Sequence, residues 1–224
     1  HLAFDQARSD DAIRVVILTG AGPKSFVAGA DIAELAAQSP IGALEMSRFG
    51  QALMTKVERL GKPVIAAIGG FALGGGMELA MACTLRIAAD SAKLGQPEVN
   101  LGLLPGFGGT QRLLRLAGRG AALELCLLGA PISAQRAYEL GIVNRVVPIA
   151  ELAAEVQRLA AQLAASAPIA LRAVLDAVLL GGEASIDTGL DYESQAFAVC
   201  VATQDMREGT KAFLEKRKPV FAGR

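Results

Sequence analysis

Two glutamates in a glycine-rich stretch, Gly69–Gly109, are the residues of this sequence best suited to chemistry. Glu78 follows the glycine run Gly74–Gly76 inside an apolar segment, and Glu98 lies 20 residues further along the chain. Two carboxylates in one site can act as general base and general acid. A carboxylate in a buried helix must be paired or have a raised pKa, and a raised pKa suits acid–base chemistry near neutral pH. Glu78 and Glu98 are therefore candidates for the two ends of one active site.

Histidine chemistry is excluded by the composition. His1 is the only histidine and is the first residue of the chain. This rules out Ser-His-Asp triads, Cys-His pairs and His-ligated zinc, and leaves acid–base work to Glu, Asp, Lys or Tyr. The three cysteines are scattered through apolar segments. We expect them to be free, buried thiols, with no disulfide and no metal site.

The glycine run before Glu78 predicts a place for a developing negative charge. A helix beginning near Gly75 presents unpaired N–H groups and partial positive charge at its first turn. Preceding glycines allow a ligand to come close to the backbone. This arrangement suits a carbonyl oxygen that becomes an oxyanion. A second N–H donor must come from elsewhere, and the loop Phe26–Asp31, which also leads from glycine into a helix, is the best candidate.

Each of these features also has a purely structural interpretation. Glu78 would then only complement the helix dipole, and Glu98 would be a solvated loop residue. The glycines would serve close packing. The run Gly106–Gly109 resembles half of a dinucleotide fingerprint, but no βαβ unit and no suitably spaced acidic residue accompany it, so we expect no NAD site.

The charge balance limits the possible partners. The chain has 22 basic and 22 acidic residues and no block of like charges, so nothing indicates nucleic acid or an anionic membrane. The longest apolar run, about residues 63–77, is shorter than the roughly 20 residues of a membrane span. The first residues, His1–Phe4, read as the end of a helix, and we expect a further segment to precede them.

Hydrophobic patterns predict an α/β part followed by a helical tail. Continuous β-branched or apolar runs predict buried strands, and a shorter extended segment is predicted over Lys93–Val99. The four strands are Val15–Leu18, Val64–Ile68, Leu85–Ala88 and Ile142–Val147. A helix is predicted from Gln111 to Ala117, ended by Gly118. After Ala150 only helices are predicted, over Glu151–Ala165, Pro168–Leu180, Ile186–Thr203 and Asp205–Arg217.

The chain resembles the enoyl-CoA hydratase/isomerase (crotonase) superfamily over nearly its whole length. The segments that carry this resemblance are SFVAGADIAEL (25–35), KPVIAAIGGFALGGGMELAMAC (62–83), KLGQPEVNLGLLPGFGGTQRL (93–113), ISAQRAYELGIVNRVV (132–147) and REGTKAFLEKRKPVF (207–221). The resemblance implies the crotonase fold, an α/β spiral of ββα turns with a C-terminal helical oligomerisation region. It divides the chain into a core, 1–160, without the family's N-terminal strand and hairpin, and a helical region, 161–224.

The resemblance also implies a reaction, the hydration of 2-trans-enoyl-CoA thioesters to 3-hydroxyacyl-CoA in acyl-CoA degradation. The two glutamates would hold a water between them. Glu78 would activate that water for attack on C3, and Glu98 would supply the proton to C2. Backbone N–H groups of Ala30 and Gly75 would form the oxyanion hole for the thioester enolate.

The family pattern places the CoA substrate as well. The implied substrate-binding residues are Ala28, Ala30, Asp31, Ile32, Gly74, Gly75, Phe213 and Lys216, the last two often from a neighbouring subunit. This chain has Ala33 where the family hydratase often has a lysine, which removes one contact to CoA. No cofactor is expected, because CoA is part of the substrate. A trimer or a dimer of trimers in the cytoplasm of a bacterium is expected, with a mitochondrial location left open.

Three alternatives remain at this point. The first is another acyl-CoA reaction of the superfamily, namely isomerisation, decarboxylation or hydrolysis. The second is a non-catalytic RNA-binding member, which should have a lysine-rich helix; the predicted helix Ala43–Leu60 has only Arg48, Lys56 and Arg59 against Glu45 and Glu58. The third is a structural oligomer with an inactive site, which two intact carboxylates argue against.

Overall fold

The computed structural model describes all 224 residues, His1–Arg224. Its strands are β1 (Val16–Thr19), β2 (Ser25–Val27), β3 (Val64–Ile68), β4 (Phe71–Leu73), β5 (Leu85–Ala89), β6 (Lys93–Gly95), β7 (Ile132–Ser133) and β8 (Arg145–Val147). The helices are α1 (Leu2–Ser9), α2 (Ile32–Ala36), α3 (Pro40–Glu58), α4 (Gly75–Ala82), α5 (Gly109–Leu128), α6 (Ala134–Glu139), α7 (Leu152–Ala164), α8 (Pro168–Gly181), α9 (Ile186–Val201) and α10 (Gln204–Leu214).

The larger sheet forms the core. Its strands are parallel and ordered β1-β3-β5-β8, with Val16 opposite Val64 and Ile65 opposite Leu85. Every residue of β3 is buried. Apolar runs of this kind are typical of parallel strands covered on both faces, and the predicted strands that correspond to β1, β3 and β5 are confirmed to within one residue at their ends.

The smaller sheet is built from strands of two or three residues, ordered β2-β4-β6-β7. The first three are parallel, with Ser25 opposite Phe71 and Leu73 opposite Gly95, and β7 is antiparallel. From β1 to β6 the chain alternates between the two sheets, contributing one strand to each. This repeated pairing is the spiral of ββα turns that the resemblance predicts.

Several predicted boundaries are wrong. Strand β2 lies in a segment that pattern alone reads as a glycine-rich loop, and no strand is predicted over Phe71–Leu73, where β4 forms. Only Arg145–Val147 of the predicted fourth strand is a strand, because the N–H groups of Ile142 and Val143 donate to the Ala137 carbonyl and finish the turn after α6. Within α5 the predicted break at Gly118 is confirmed, since this residue has non-helical angles of φ 77° and ψ 168°; a second helical segment then continues to Leu128.

The segment predicted as extended over Lys93–Val99 also changes structure midway. Strand β6 ends at Gly95, and Pro97–Leu101 forms a 3-10 helix. Proline at the first helical position needs no N–H donor, and its fixed φ suits a helix start. Glu98 therefore lies on a helical turn rather than in an irregular loop.

The last three helices leave much apolar surface uncovered. Helices α8 and α9 pack against each other, yet neither contains a buried residue. Their exposed apolar residues include Val174, Val178, Leu190, Phe197 and Val199. No single helix is long and apolar enough to cross a membrane. Residues 149–164 and 168–181 reach the length and apolar composition of a membrane span only when they are counted together, and a bend of 106° separates them.

Candidate active site

The candidate site lies where the parallel strands of the small sheet end. Because β2, β4 and β6 run in the same direction, the segments that follow them meet at one edge of the sheet. These segments line one cavity of about 970 Å³. Its polar part contains Ala30, Gly75, Glu78 and Glu98, the residues singled out by the sequence.

Glu78 is fixed at the inner wall by main-chain donors. Helix α4 is buried nearly all round, and Glu78 itself is only 1% exposed. Its Oε1 atom accepts hydrogen bonds from the N–H groups of Phe107, at 2.8 Å, and Gly109, at 2.7 Å. Both donors belong to the glycine-rich run 106–109. That run therefore holds a carboxylate and is not a remnant of a dinucleotide site.

Burial controls the protonation of Glu78. The pKa of its carboxyl group is raised from 4.5 to about 7; loss of hydration is the main cause, and the negative charge of Glu98 acts in the same direction. The hydrogen bonds from Gly109 and Phe107, and the charge of Arg112, act in the opposite direction. A carboxyl group with this pKa can both accept and donate a proton near neutral pH.

Glu98 has a different environment on the 3-10 helix. It is half-buried, and burial raises its pKa above the ordinary value. Gln96 is fully buried next to it. With the amide oriented so that its nitrogen faces Glu98, Gln96 donates to both carboxylate oxygens, at 3.0 and 3.1 Å. Glu98 is thus held by a side chain, whereas Glu78 is held by the main chain.

Glycine at position 74 allows Glu98 to come this close to the start of α4. Gly74 has φ 53° and ψ −125°, a backbone conformation that other residues rarely adopt. A Cβ atom at this position would lie 2.9 Å from Oε1 of Glu98. The glycine run thus serves the turn into α4 and makes room for the second carboxylate.

Two backbone N–H groups face the same part of the cavity. The Ala30 N–H donates to no group within the chain, and the Gly75 N–H, the first of α4, has no acceptor inside its helix. A Cβ atom at Gly75 would lie 3.9 Å from the Ala30 nitrogen, so the two loops approach closely. The pair could receive one oxygen that gains negative charge during a reaction.

The other residues expected to bind substrate fall into two groups. Ala28, Ile32 and Gly74 line the cavity together with the residues above. Asp31 lies outside the lining, and its side chain caps α2 by accepting from the Ala33 N–H at 2.8 Å. Phe213, which is 83% exposed, and Lys216 do not line the cavity within this chain.

The sequence patterns did not identify the groups that hold the carboxylates. Gln96 stands two residues before Glu98, but neither its residue type nor this spacing predicts the contact. The donor roles of Phe107 and Gly109 carry no signal in their residue types, because any N–H serves. The remaining wall of the cavity is mostly apolar and includes Leu35, Met46, Leu101, Leu103 and Leu104.

Comparisons with known proteins show the family to which the chain belongs. The family model described as enoyl-CoA hydratase/isomerase matches residues 1–224. A crotonyl-CoA hydratase from Syntrophomonas wolfei is 48% identical over 98% of this chain and 84% of its own length. A short-chain-enoyl-CoA hydratase from Clostridium acetobutylicum is 46% identical over 95% of this chain and 82% of its own. The crystal structure of an enoyl-CoA hydratase from Bacillus anthracis superposes with a TM-score of 0.96 at 45% identity, over 100% of this chain and 86% of that one.

Proposed function

Because the chain belongs to the enoyl-CoA hydratase/isomerase family, we propose that it hydrates 2-trans-enoyl-CoA thioesters to 3-hydroxyacyl-CoA. The observation that supports this most is the meeting of two carboxylates and two free N–H donors in one cavity. Hydration of a conjugated thioester needs these parts: a base for water, an acid for C2 and donors for the enolate oxygen. Water adds without oxidation or reduction, so the reaction balances with no cofactor beyond the CoA of the substrate.

Glu78 takes a proton from the water that attacks C3. Glu98 gives its proton to C2, so the pair holds one proton before and after the reaction. The thioester oxygen gains negative charge as the enolate forms and accepts hydrogen bonds from the N–H groups of Ala30 and Gly75. One such donor contributes roughly 2.7–4 kcal/mol in acyl-transfer enzymes.

The protonation preference of the two carboxylates matches one end of this reaction. Glu78 has the higher proton affinity, with a pKa of about 7. The favoured one-proton state therefore has Glu78 protonated and Glu98 ionised, which is the state left after hydration and the starting state for dehydration. Hydration begins instead with Glu98 protonated and Glu78 ionised. A water held between the carboxylates lets the proton pass from one to the other. The pair thus titrates as a unit.

We also propose that CoA lies along the loop of Ala28, Ala30, Asp31 and Ile32. Phe213 and Lys216, exposed here, would meet CoA from a neighbouring subunit. The uncovered apolar faces of α8 and α9 support a homo-oligomer, a trimer or a dimer of trimers. Light scattering coupled to size-exclusion chromatography tests the oligomeric state, and cell fractionation tests a cytoplasmic location.

A steady-state assay tests the proposed reaction. Crotonyl-CoA is the first substrate to use, since the two curated relatives have names that refer to crotonyl-CoA or short-chain substrates, and longer enoyl-CoA thioesters follow. We expect loss of the conjugated enoyl absorbance and formation of 3-hydroxyacyl-CoA. Conversion between 2-enoyl and 3-enoyl isomers without hydration would instead support isomerisation. No turnover of any enoyl-CoA would refute the proposal.

A further inference from the structure

Arg112 connects the residues that bind Glu78 to the opposite helix. Its guanidinium group pairs with Glu58, with Nε at 3.1 Å from Oε1 and Nη2 at 2.9 Å from Oε2. Its remaining nitrogen, Nη1, donates to the Phe107 carbonyl at 3.3 Å. Only 13% of the Arg112 side chain and 26% of the Glu58 side chain are exposed. A two-point pair of this kind fixes orientation as well as distance.

Helix stability does not account for where this pair stands. Glu58 is the last residue of α3, near the negative end of the helix dipole. Arg112 is in the first turn of α5, near the positive end. Each charge is therefore placed at the end of its helix that disfavours it. Their contact with each other and with Phe107 points to a role at the site.

The position of Arg112 along the loop is specific. The Phe107 N–H belongs to the peptide that begins at Gly106, whose carbonyl accepts from Ser47 and Gln51. The Gly109 N–H belongs to the peptide that begins at Gly108, whose carbonyl accepts from the main chain of α5. The peptide between these two joins Phe107 to Gly108. Its carbonyl oxygen, that of Phe107, accepts a hydrogen bond from the Arg112 side chain. Arg112 therefore orients the link between the two donors of Glu78.

Gly108 makes room for this contact. Its φ is 103°, and a Cβ atom there would lie 2.5 Å from Nη1 of Arg112. The backbone conformation favours glycine here, and any side chain would displace the guanidinium group from the Phe107 carbonyl.

We infer that Arg112 is a positioning residue of the hydration reaction: braced by Glu58, it holds the Phe107–Gly108 peptide so that two N–H groups converge on Glu78. This inference rests on the proposed function. A structural brace alone would affect stability and leave the protonation of Glu78 unchanged. A positioning residue at this place changes the proton affinity of Glu78, because it orients the donors and brings a positive charge near.

The charged groups around Glu78 predict opposite shifts of its pKa when Arg112 or Glu58 is replaced. Glu98 faces it from the 3-10 helix, Arg112 and Cys126 from α5, and Glu58 lies behind Arg112. The Cys126 thiol stays neutral near pH 7, because burial, Glu98 and Glu78 all raise its pKa. Removing Arg112 leaves Glu78 with weaker stabilisation of its charged form and raises its pKa. Removing the charge of Glu58 leaves Arg112 less neutralised and lowers the pKa of Glu78.

The test is the pH dependence of kcat/KM for crotonyl-CoA in four variants. Because the pair must keep one proton, loss of the Glu78 proton sets the alkaline limb. We expect Arg112→Met to shift this limb to higher pH and to lower kcat on the order of 10- to 100-fold through misplacement of Glu78, with KM little changed. Glu58→Gln should shift the limb to lower pH. Arg112→Lys should bring the limb back towards its position in the wild type.

The matched control is Arg115→Met, one turn further along α5, where Arg115 pairs with Glu183 at the surface and touches no part of the loop. Its profile should equal that of the wild type. If Arg112→Met fails to fold, the shift predicted for Glu58→Gln still decides the question. An unshifted limb in folded Arg112→Met or Glu58→Gln, in an active enzyme, would overturn the inference alone. An inactive wild type would instead refute the proposed function.

Discussion

The two carboxylates of the site are held by different kinds of structure. Glu78 lies on a fully buried helix and takes its hydrogen bonds from two main-chain N–H groups. Glu98 is half-buried on a 3-10 turn and receives its hydrogen bonds from the side chain of Gln96. Burial is the main cause of the raised pKa in both, but only Glu78 has an arginine nearby that opposes it.

This contrast shows which changes each carboxylate can tolerate. The partners of Glu78 are peptide groups, so substitution reaches them only through the backbone, as at Gly109, or through groups that orient the backbone, as at Arg112. The partner of Glu98 can be removed by one substitution at Gln96. Mutations on the two sides should therefore have different kinetic signatures.

The largest effect is expected when either carboxylate is removed. Glu78→Gln and Glu98→Gln should each lower kcat by about 10³-fold or more, because a positioned acid or base contributes roughly 10²–10⁴-fold and neither residue can replace the other. Steady-state kinetics measure the loss, and circular dichroism checks folding. Glu139→Gln, an exposed carboxylate paired with Arg136, is the control. Near-normal hydration in either site variant would show that the two carboxylates do not act together.

A smaller effect is expected at the oxyanion hole, which adjoins the Glu78 side. Gly75→Pro removes one N–H donor at the first position of α4, where proline suits a helix. We expect kcat to fall by about 10²–10³-fold. Gly75→Ala is the matched control, since it also adds a Cβ but keeps the donor. If both variants lose the same activity, the added side chain and not the lost N–H is responsible.

A still smaller effect is expected on the Glu98 side. Gln96→Met keeps the volume of the side chain but removes both hydrogen bonds to Glu98, and we expect a loss of about 10- to 100-fold in kcat/KM, since hydrogen bonds to a charged group contribute roughly 1.5–3 kcal/mol. These bonds stabilise the ionised form, so their loss raises the pKa of Glu98 and moves the acid limb of the pH profile upward.

The alkaline limb provides the internal comparison for Gln96→Met. It belongs to Glu78 and should move much less than the acid limb. Equal movement of both limbs would mean that Gln96 acts on the whole cavity and not on Glu98.

The sequence alone predicted the scaffold better than the parts that position the site. Strands such as Val64–Ile68 are covered on both faces, so their sequences are continuous apolar runs that predict a buried strand. The three residues of Ser25–Val27 or Phe71–Leu73 are too few to show a period. These short strands, however, bring Ala30 and Gly75 to one edge.

The sequence predicted the chemistry of the site only in part. Residue types identified Glu78 as a carboxylate in a buried helix, and family resemblance paired it with Glu98. The donors of Glu78 are main-chain groups 29 and 31 residues away. No residue type encodes them, and only the folded backbone brings them to the carboxylate.

The pH dependence of wild-type kcat/KM for crotonyl-CoA tests most directly whether the two glutamates share one proton. Glu98 should lose its proton first, and Glu78, with a pKa of about 7, should lose the last one. We therefore predict a bell-shaped profile that falls as the pH rises through about 7, because the fully ionised pair has no proton for C2. A profile that instead rises through this pH, or stays flat from about pH 5 to 9, would contradict the shared proton and with it the roles assigned to Glu78 and Glu98.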